Sequence, residues 1–325
     1  MFAVCYSGSG GEQILLARLI VQVLMSGASG LLGTALSQAF AARGDRVIPL
    51  VRSQVNSGAD GISWQPGETL DPTLVSGFDA VIHLAGESVV GRWTAAKKQR
   101  IRDSRVLGTR TLAEVVPRAA QKPTVFLAAS AIGYYGNRGD EVLDETSACG
   151  TGFLAETCRE WEAAAEPVRQ AGIRLIHTRI GVVLSKHGGA LDKMVLPFRL
   201  GLGGRMGSGQ QWMSWIHVDD IVGAMLHVLQ NESISGPVNL VSPNPVTNAE
   251  FTSALGKVLS RPTIFPVPEF ALRLAMGEMA EEVLLGSQRV EPQRLLASSY
   301  EFKFPELQPT LEHLLGTRVV AHRSR

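Results

Sequence analysis

The chain is poor in cysteine: Cys5, Cys149 and Cys158 are the only three in 325 residues. They match no metal-ligand spacing and no disulfide framework, so a reducing compartment is expected, with the cytoplasm the plain reading. Charge of one sign is also lacking. Against 31 Lys and Arg stand 30 Asp and Glu, a formal net charge of +1. That balance gives no electrostatic footprint for nucleic acid or an anionic membrane, and neither is expected as a partner. The apolar run at 14–25 is broken by Arg18 and Gln22 and is too short to span a bilayer. No basic segment precedes it and no small-residue cleavage site follows, which argues against a signal peptide. Residues 1–19 read as an extension ahead of the fold, with a targeting segment as the alternative.

What is present is a globular composition, 45% hydrophobic and 19% charged. From residue 20 onward, short β-rich runs at 21–26, 46–51, 62–64, 80–85, 124–129 and 174–180 alternate with amphipathic helical stretches at 31–43, 94–120 and 153–170. Continuous apolar strands alternating with helices predict a parallel sheet covered on both faces. After residue 185 the rhythm changes. Glycines cluster at 188–189 and 201–204, a Pro-punctuated stretch runs from 236 to 268, and helices are predicted at 219–230, 248–260 and 269–285. This part is expected to build a smaller lobe over the carboxyl ends of the strands, the chain crossing between lobes more than once.

The sharpest local signal is Gly27-Ala28-Ser29-Gly30-Leu31-Leu32-Gly33, lying between the first predicted strand and the first predicted helix. The first glycine permits the tight turn, the second lets backbone approach a pyrophosphate, and the third permits close packing of helix on strand. The helix start adds unpaired N–H donors. The second strand then ends Val51-Arg52-Ser53, without the acidic residue that accepts hydrogen bonds from a ribose 2′-OH. Arg52 with Ser53 suits a 2′-phosphate instead, against the plainer reading of a solvated Arg at a strand end. NADP(H) is therefore the expected cofactor. Leu84, Ala85, Gly86 and Glu87 close the fourth strand, their small members leaving room for a cofactor crossing the strand ends. Trp64 either covers an adenine or packs in the core.

Together with Asp103-Ser104-Arg105, Gly133-Tyr134-Tyr135-Gly136, Trp161-Glu162-Ala163-Ala164, Arg179-Ile180-Gly181-Val182-Val183-Leu184, the 196–204 segment and Trp215-Ile216-His217-Val218-Asp219-Asp220, these residues resemble the extended short-chain dehydrogenases. Within them they resemble the NAD-dependent epimerase/dehydratase-like branch, putative nucleoside-diphosphate-sugar epimerases of which some carry the label of cell-division inhibitor. The resemblance runs from about residue 21 to 315. It implies an α/β fold with a doubly wound, Rossmann-type parallel sheet and a small C-terminal α/β substrate lobe. The NADP-binding domain would span 20–185 and the lobe mainly 186–325. It also implies that Arg105 faces the cofactor from the long helix, that Val183 lies near the nicotinamide end, and that Ser130 matches the catalytic serine.

The superfamily's Tyr-x-x-x-Lys is missing. Alignment on Trp161-Glu162 puts Leu154 and Cys158 in its two places, and none of the four tyrosines has a lysine four residues on. Tyr134 and Tyr135, in the loop after the fifth strand, are the candidate replacement acids, or one packs while the other closes the pocket. Glu87 could serve as a base or bind a hydroxyl, and Lys193 could bind an anionic group; a solvated role is open for each. At His217-Val218-Asp219-Asp220, an Asp capping the next helix with the His packed beneath it is expected, rather than a metal site. The 201–209 segment with Trp212 and Trp215 could shape a pocket for an unknown small polar substrate, sugar-like or carbonyl. Two functions stay open: an NADP(H)-dependent oxidoreductase or epimerase with a non-standard acid, and a non-catalytic NADP(H)-binding sensor.

Overall fold

A computed structural model describes residues 21–52 and 61–316; Ser53 and the 1–19 extension lie outside them. The first half alternates β1 (Gln22–Ser26), α1 (Leu31–Ala42), β2 (Arg46–Val51), β3 (Ile62–Ser63), β4 (Ala80–His83), α2 (Ala95–Val115) and β5 (Val125–Ala131). A short β6 (Val142–Leu143), α3 (Phe153–Ala163) and α4 (Glu166–Gln170) lead into β7 (Arg174–Ile180). Next come β8 (Val182–Leu184), α5 (Ala190–Arg199), β9 (Trp212–Met213), β10 (Trp215–His217), α6 (Val218–Gln230) and β11 (Gly236–Leu240). The chain ends through β12 (Val246–Thr247), α7 (Asn248–Leu259), α8 (Glu269–Met276), β13 (Arg289–Val290), α9 (Gln293–Ala297) and α10 (Leu307–Leu315).

Seven strands form one parallel sheet in the order β11-β7-β5-β4-β1-β2-β3. The order reverses between β1 and β4, which opens a crevice at their carboxyl ends, the place where such sheets bind ligands. Alternation along each strand feeds two cores. Val23, Met25, Ile82, Leu127 and Ile176 face α1 and α6, while Leu24, Val81, Phe126 and Leu175 face α2 and α4. Each such side chain, fully withdrawn from water, contributes roughly 1.5–3 kcal/mol. Burial on both faces is why the strands read as unbroken apolar runs rather than alternating ones.

The second half differs from expectation in three places. The Pro-punctuated stretch contains β11, which returns to the sheet beside β7; Pro237 is tolerated because β11 is an edge strand. Helices α5 and α10 form where none was expected, and pack with α7 around Leu184, Trp215 and Phe251. The single helix expected at 269–285 stops at Gly277, whose φ of +61° ends α8, and a π-helical turn, Ala280–Leu284, follows. That break matters, because it aims Glu282 at α3. Both carboxylate oxygens accept from the Phe153 and Leu154 N–H groups at 2.8 Å, occupying donors that an α-helix start leaves unpaired.

One buried polar group sits under the crevice. His83 ends β4 with no exposure, its Nδ1 2.5 Å from the Ser26 hydroxyl and its Nε2 without a partner. Gly108 lies against the ring, since a Cβ there would be 3.3 Å from it, and Trp64 meets it edge-on. Trp64 is thus a core residue at 4% exposure, which removes it as an adenine cover. Burial pulls the His83 pKa down from 6.5 to about 4, so the folded state holds the imidazole neutral. Below pH 6.5 the unfolded chain takes a proton that the folded chain refuses until about pH 4. Stability should therefore fall by about 3 kcal/mol across that window and level off beneath it. Urea denaturation at a series of pH values measures the slope, and His83→Asn should flatten it. An unchanged slope in that variant would place the titration elsewhere.

Candidate functional site

The crevice is built first by steric exclusion. Gly27 turns the chain after β1 with φ +74°, and a Cβ on it would lie 2.8 Å from the Ala85 nitrogen and the Leu84 carbonyl carbon. Gly33 is tighter still: its Cβ would stand 2.2 Å from the Gly27 oxygen. No side chain other than hydrogen fits either place. A Cβ on Gly30 would meet only the Gly27 oxygen, at 3.3 Å, so that residue faces open space. It is the N-cap of α1 and offers no side-chain acceptor, which leaves the first-turn N–H groups free to take an anion. Ser29 and Gly30 are exposed, and Leu31 and Leu32 half-buried. A cavity of about 650 Å³ opens beside Ser29, Gly30 and Leu31, with Lys186, His217 and His313 on its other walls.

Cations gather at the next strand ends. Arg52 is exposed at the end of β2, its carbonyl held by the Gln65 amide at 2.9 Å. Glu87 lies close enough that Arg52, Arg100 and Lys97 all hold its carboxyl below the usual range, the Lys97 hydrogen bond most strongly. Lys97 Nζ is 2.7 Å from that carboxylate and Arg100 Nε 3.8 Å. Three cations around one carboxylate leave the cluster net positive. Lys97 and Arg100 carried no motif. Their spacing in the first turns of α2 says nothing until β4 brings Glu87 beside them. The Glu87 backbone is pinned from the same helix, its N–H donating to Ser104 Oγ at 2.9 Å and its carbonyl accepting from Arg105 at 2.9 Å. Leu84 and Ala85 are half-buried and Gly86 is exposed. Val183, in β8 beyond the β7 end, is half-buried.

The candidate catalytic residues are placed differently. Ser130 is 2% exposed and donates to Glu162 Oε1 at 2.7 Å. Both Glu162 oxygens also accept from Arg179, at 2.9 Å each. Tyr135 has no exposure; its hydroxyl donates to Asn239 Oδ1 at 2.7 Å and accepts from Arg179 at 3.0 Å. Burial pushes its pKa up to about 12. Ser130 and Tyr135 are thus members of an internal polar network, Tyr135 being the one of the two tyrosines that packs. Tyr134 differs. It is half-buried, with the Arg179 guanidinium 3.5 Å over its ring, and burial raises its pKa.

At the positions that align with the superfamily's Tyr-x-x-x-Lys, the walls are apolar. Gly133 packs on Leu154, to which a Cβ would come within 3.3 Å, with Cys158 behind. Burial pushes the Cys158 thiol up to about 12, too high for a nucleophile. In the lobe, Trp215 is fully buried and belongs to the core rather than a pocket. Trp212 lies under the Arg289 guanidinium and bonds Asp140. Lys193 is exposed on α5. At the start of α6 the roles are the reverse of expectation. His217 is the cap, its Nδ1 accepting from the Asp219 N–H at 3.0 Å, and Asp220 is buried, accepting from the Lys303 and Phe304 N–H groups.

Comparison with known proteins matches residues 23–240 to the NAD dependent epimerase/dehydratase family and residues 267–314 to a domain of unknown function, DUF1731. An epimerase family protein of Mycobacterium bovis is 44% identical over 283 residues, 86% of this chain and 93% of that protein. A chloroplastic SDR39U1 homolog from Arabidopsis thaliana is 40% identical, over 90% of this chain and 86% of its own. Among solved structures, human epimerase family protein SDR39U1 with NADPH superposes with a TM-score of 0.84 at 34% identity, covering 91% of this chain and all of the human one. Among the described residues, no helix is long and apolar enough to cross a membrane.

The network makes a direct prediction. Tyr135→Phe removes the hydroxyl shared by Arg179 and Asn239 and leaves one Arg179 N–H group and Asn239 Oδ1 without that partner inside the protein, which should cost about 1–3 kcal/mol of stability in urea denaturation. A variant as stable as the parent would show that this hydroxyl adds nothing net to the fold.

Proposed function

Because the chain belongs to the NAD dependent epimerase/dehydratase family, we propose that it is an NADP(H)-binding protein whose dinucleotide crosses the carboxyl edge of the sheet. The observation that carries this reading is the turn at 27–33. Two of its glycines have no room for a Cβ, and the third, at the helix start, opens outward. That is the shape required for backbone to meet a pyrophosphate. The pyrophosphate would lie on the first-turn N–H groups of α1, with Ser29, Leu31 and Leu32 beside it. Leu84, Ala85 and Gly86 would form the floor and Val183 the far wall. Arg52, supported by Lys97 and Arg100, would hold the 2′-phosphate, since no carboxylate ends β2 to accept from a free 2′-OH. The NADPH held by the human relative supports the same choice. When bound, NADPH supplies a hydride.

The chain's own acid–base groups are fewer. Tyr134 alone favours a second reading, an oxidoreductase or epimerase acting on a small polar substrate. Its raised pKa keeps the phenol protonated at neutral pH, and Arg179 over the ring orients it. Such a group can donate a proton but is a poor base.

Titration with NADPH and NADH, followed by cofactor fluorescence, tests the assignment. The parent should prefer NADPH. Arg52→Ala should weaken NADPH by about 10–100-fold and leave NADH within a few-fold. Equal losses for both would move the 2′-phosphate away from β2.

A further inference from the structure

The seven most exposed large apolar side chains among the described residues lie on adjoining segments of the second half. Each is between 61% and 76% exposed, and no other exceeds 47%. Leu196 and Leu200 stand one turn apart at the C-terminal end of α5, and Leu202 follows in the next loop. That loop runs beside the segment leading into α8. Gly204 bridges Ile264, Met206 bridges Val267, and the Val267 N–H donates to the Arg205 carbonyl at 2.8 Å. Ile264 and Phe265 therefore lie next to the loop. Phe270 and Leu274, one turn apart on α8, continue from them, since Gly207 abuts the Glu269 side chain. Exposed apolar residues are ordinarily scattered singly; a run of them on neighbouring segments marks a surface that something covers.

The charge of the same segments is one-sided, which the near-neutral total conceals. Residues 193–207 and 257–275 carry six cations, Lys193, Arg199, Arg205, Lys257, Arg261 and Arg273, and one carboxylate, Glu269. All six cations are exposed. Arg273 pairs with Glu269 at 3.1 Å; among the described residues the other five have no carboxylate within ion-pair distance. Asp192 and Glu250 lie at the opposite, N-terminal ends of α5 and α7. This combination selects among occupants. A partner strand needs a continuous ladder, and Pro262, Pro266 and Pro268 remove its donors. A second copy joined face to face would set six cations against six. An anionic lipid surface meets both features, because headgroup phosphates take the cations while leucine and phenylalanine side chains enter the acyl boundary.

We propose that this edge of the C-terminal lobe is a peripheral docking surface for an anionic lipid bilayer. Phe265, Phe270 and Leu274 are the inserting groups, and Arg199, Arg205 and Arg261 with the two lysines are the headgroup contacts. The chain lies on the membrane rather than across it. Arg92, in the loop after β4, donates to the Leu274 carbonyl at 3.2 Å, so docking holds that loop, and the crevice it borders, beside the bilayer. None of these residues belongs to the groups proposed to hold NADPH, and docking is therefore measurable apart from cofactor binding.

Flotation with lipid vesicles tests it. The parent should bind vesicles of phosphatidylcholine containing about 30% phosphatidylglycerol, should leave pure phosphatidylcholine unbound, and should be released as salt rises. Phe265→Ser combined with Phe270→Ser should weaken that binding by about tenfold or more. Arg199→Gln and Arg261→Gln should weaken it by about fivefold each. Thermal unfolding midpoints of all variants should match the parent's, since the four side chains are exposed, and this shows that they are folded. A parent that ignores anionic vesicles or binds both vesicle types equally overturns the proposal, as do folded variants that bind as the parent does. Sedimentation velocity addresses the other occupant: a parent dimer that the two serine substitutions dissociate would give this face to a second copy instead.

Discussion

The polar architecture of the molecule depends on one ion pair, Arg179 with Glu162. Arg179 points out of β7, between β11 and β5, and is 3% exposed. A guanidinium there is tolerable only because Glu162, on α3, meets it with two parallel hydrogen bonds. Once formed, the pair dictates its surroundings. Ser130 of β5 fills a remaining acceptor site on Glu162, and Tyr135 takes another Arg179 donor and passes it to Asn239 of β11. Asn239 in turn donates its backbone N–H to Glu145. Strands β5, β7 and β11 and helix α3 are thus tied through one set of satisfied groups. Removing one member would leave its partners buried and unpaired, a loss of several kcal/mol in such settings.

This arrangement turns Ser130 and Tyr135 toward the interior rather than toward the crevice. The strand that delivers Ser130 and the turn that delivers Tyr135 are engaged inward. Alternation along β5 then leaves half-buried Ala131 on the opposite side from Ser130. Beyond it, Gly133, Leu154 and Cys158 pack against one another. The groups proposed to hold the cofactor lie elsewhere, at the ends of β1, β2 and β4, on α2 and on β8.

The legible parts of the sequence were those whose causes are local. The turn at 27–33 could be read because a positive φ and two forbidden Cβ positions leave glycine as the only solution within seven residues. Strands β2 and β7 could be read to their last residue because apolar, mostly β-branched residues (Val47, Ile48 and Val51; Leu175, Ile176 and Ile180) mark them between turn signals. The network around Ser130 and Tyr135 was not legible because their partners lie 32 and 104 residues away. One clue was available: Arg179 interrupts an apolar strand, and a charge in that position demands a buried counterpart. Strand β11 was hidden by Pro237 and its flanking turn residues, and α8 was over-extended because the pattern continued past Gly277. The cap formed by Glu282 on α3 could not be seen at all, being a contact over 128 residues.

That cap also bears on what the C-terminal segment does. α8 buries none of its own residues; its Leu274 carbonyl accepts from Arg92, its Met276 packs on the cluster below, and Lys98 pairs with Glu278 just beyond it. The turn after it is better anchored. Met279 and Leu284 join Trp93, Ile101 and Leu154 in a small apolar cluster, and Glu282 closes the first turn of α3. The segment therefore does structurally, at the start of α3, what a side-chain cap would do from within the helix. Gly152 precedes that helix with φ +109° and provides no cap of its own. Position 154 is held in the cluster by packing, with its N–H already spoken for by Glu282. A polar side chain at 154 would have to leave that cluster or bury its hydroxyl among Trp93, Met279 and Leu284. The apolar residue there is thus coupled to the way the C-terminal segment docks, and the missing relay is part of how this chain folds.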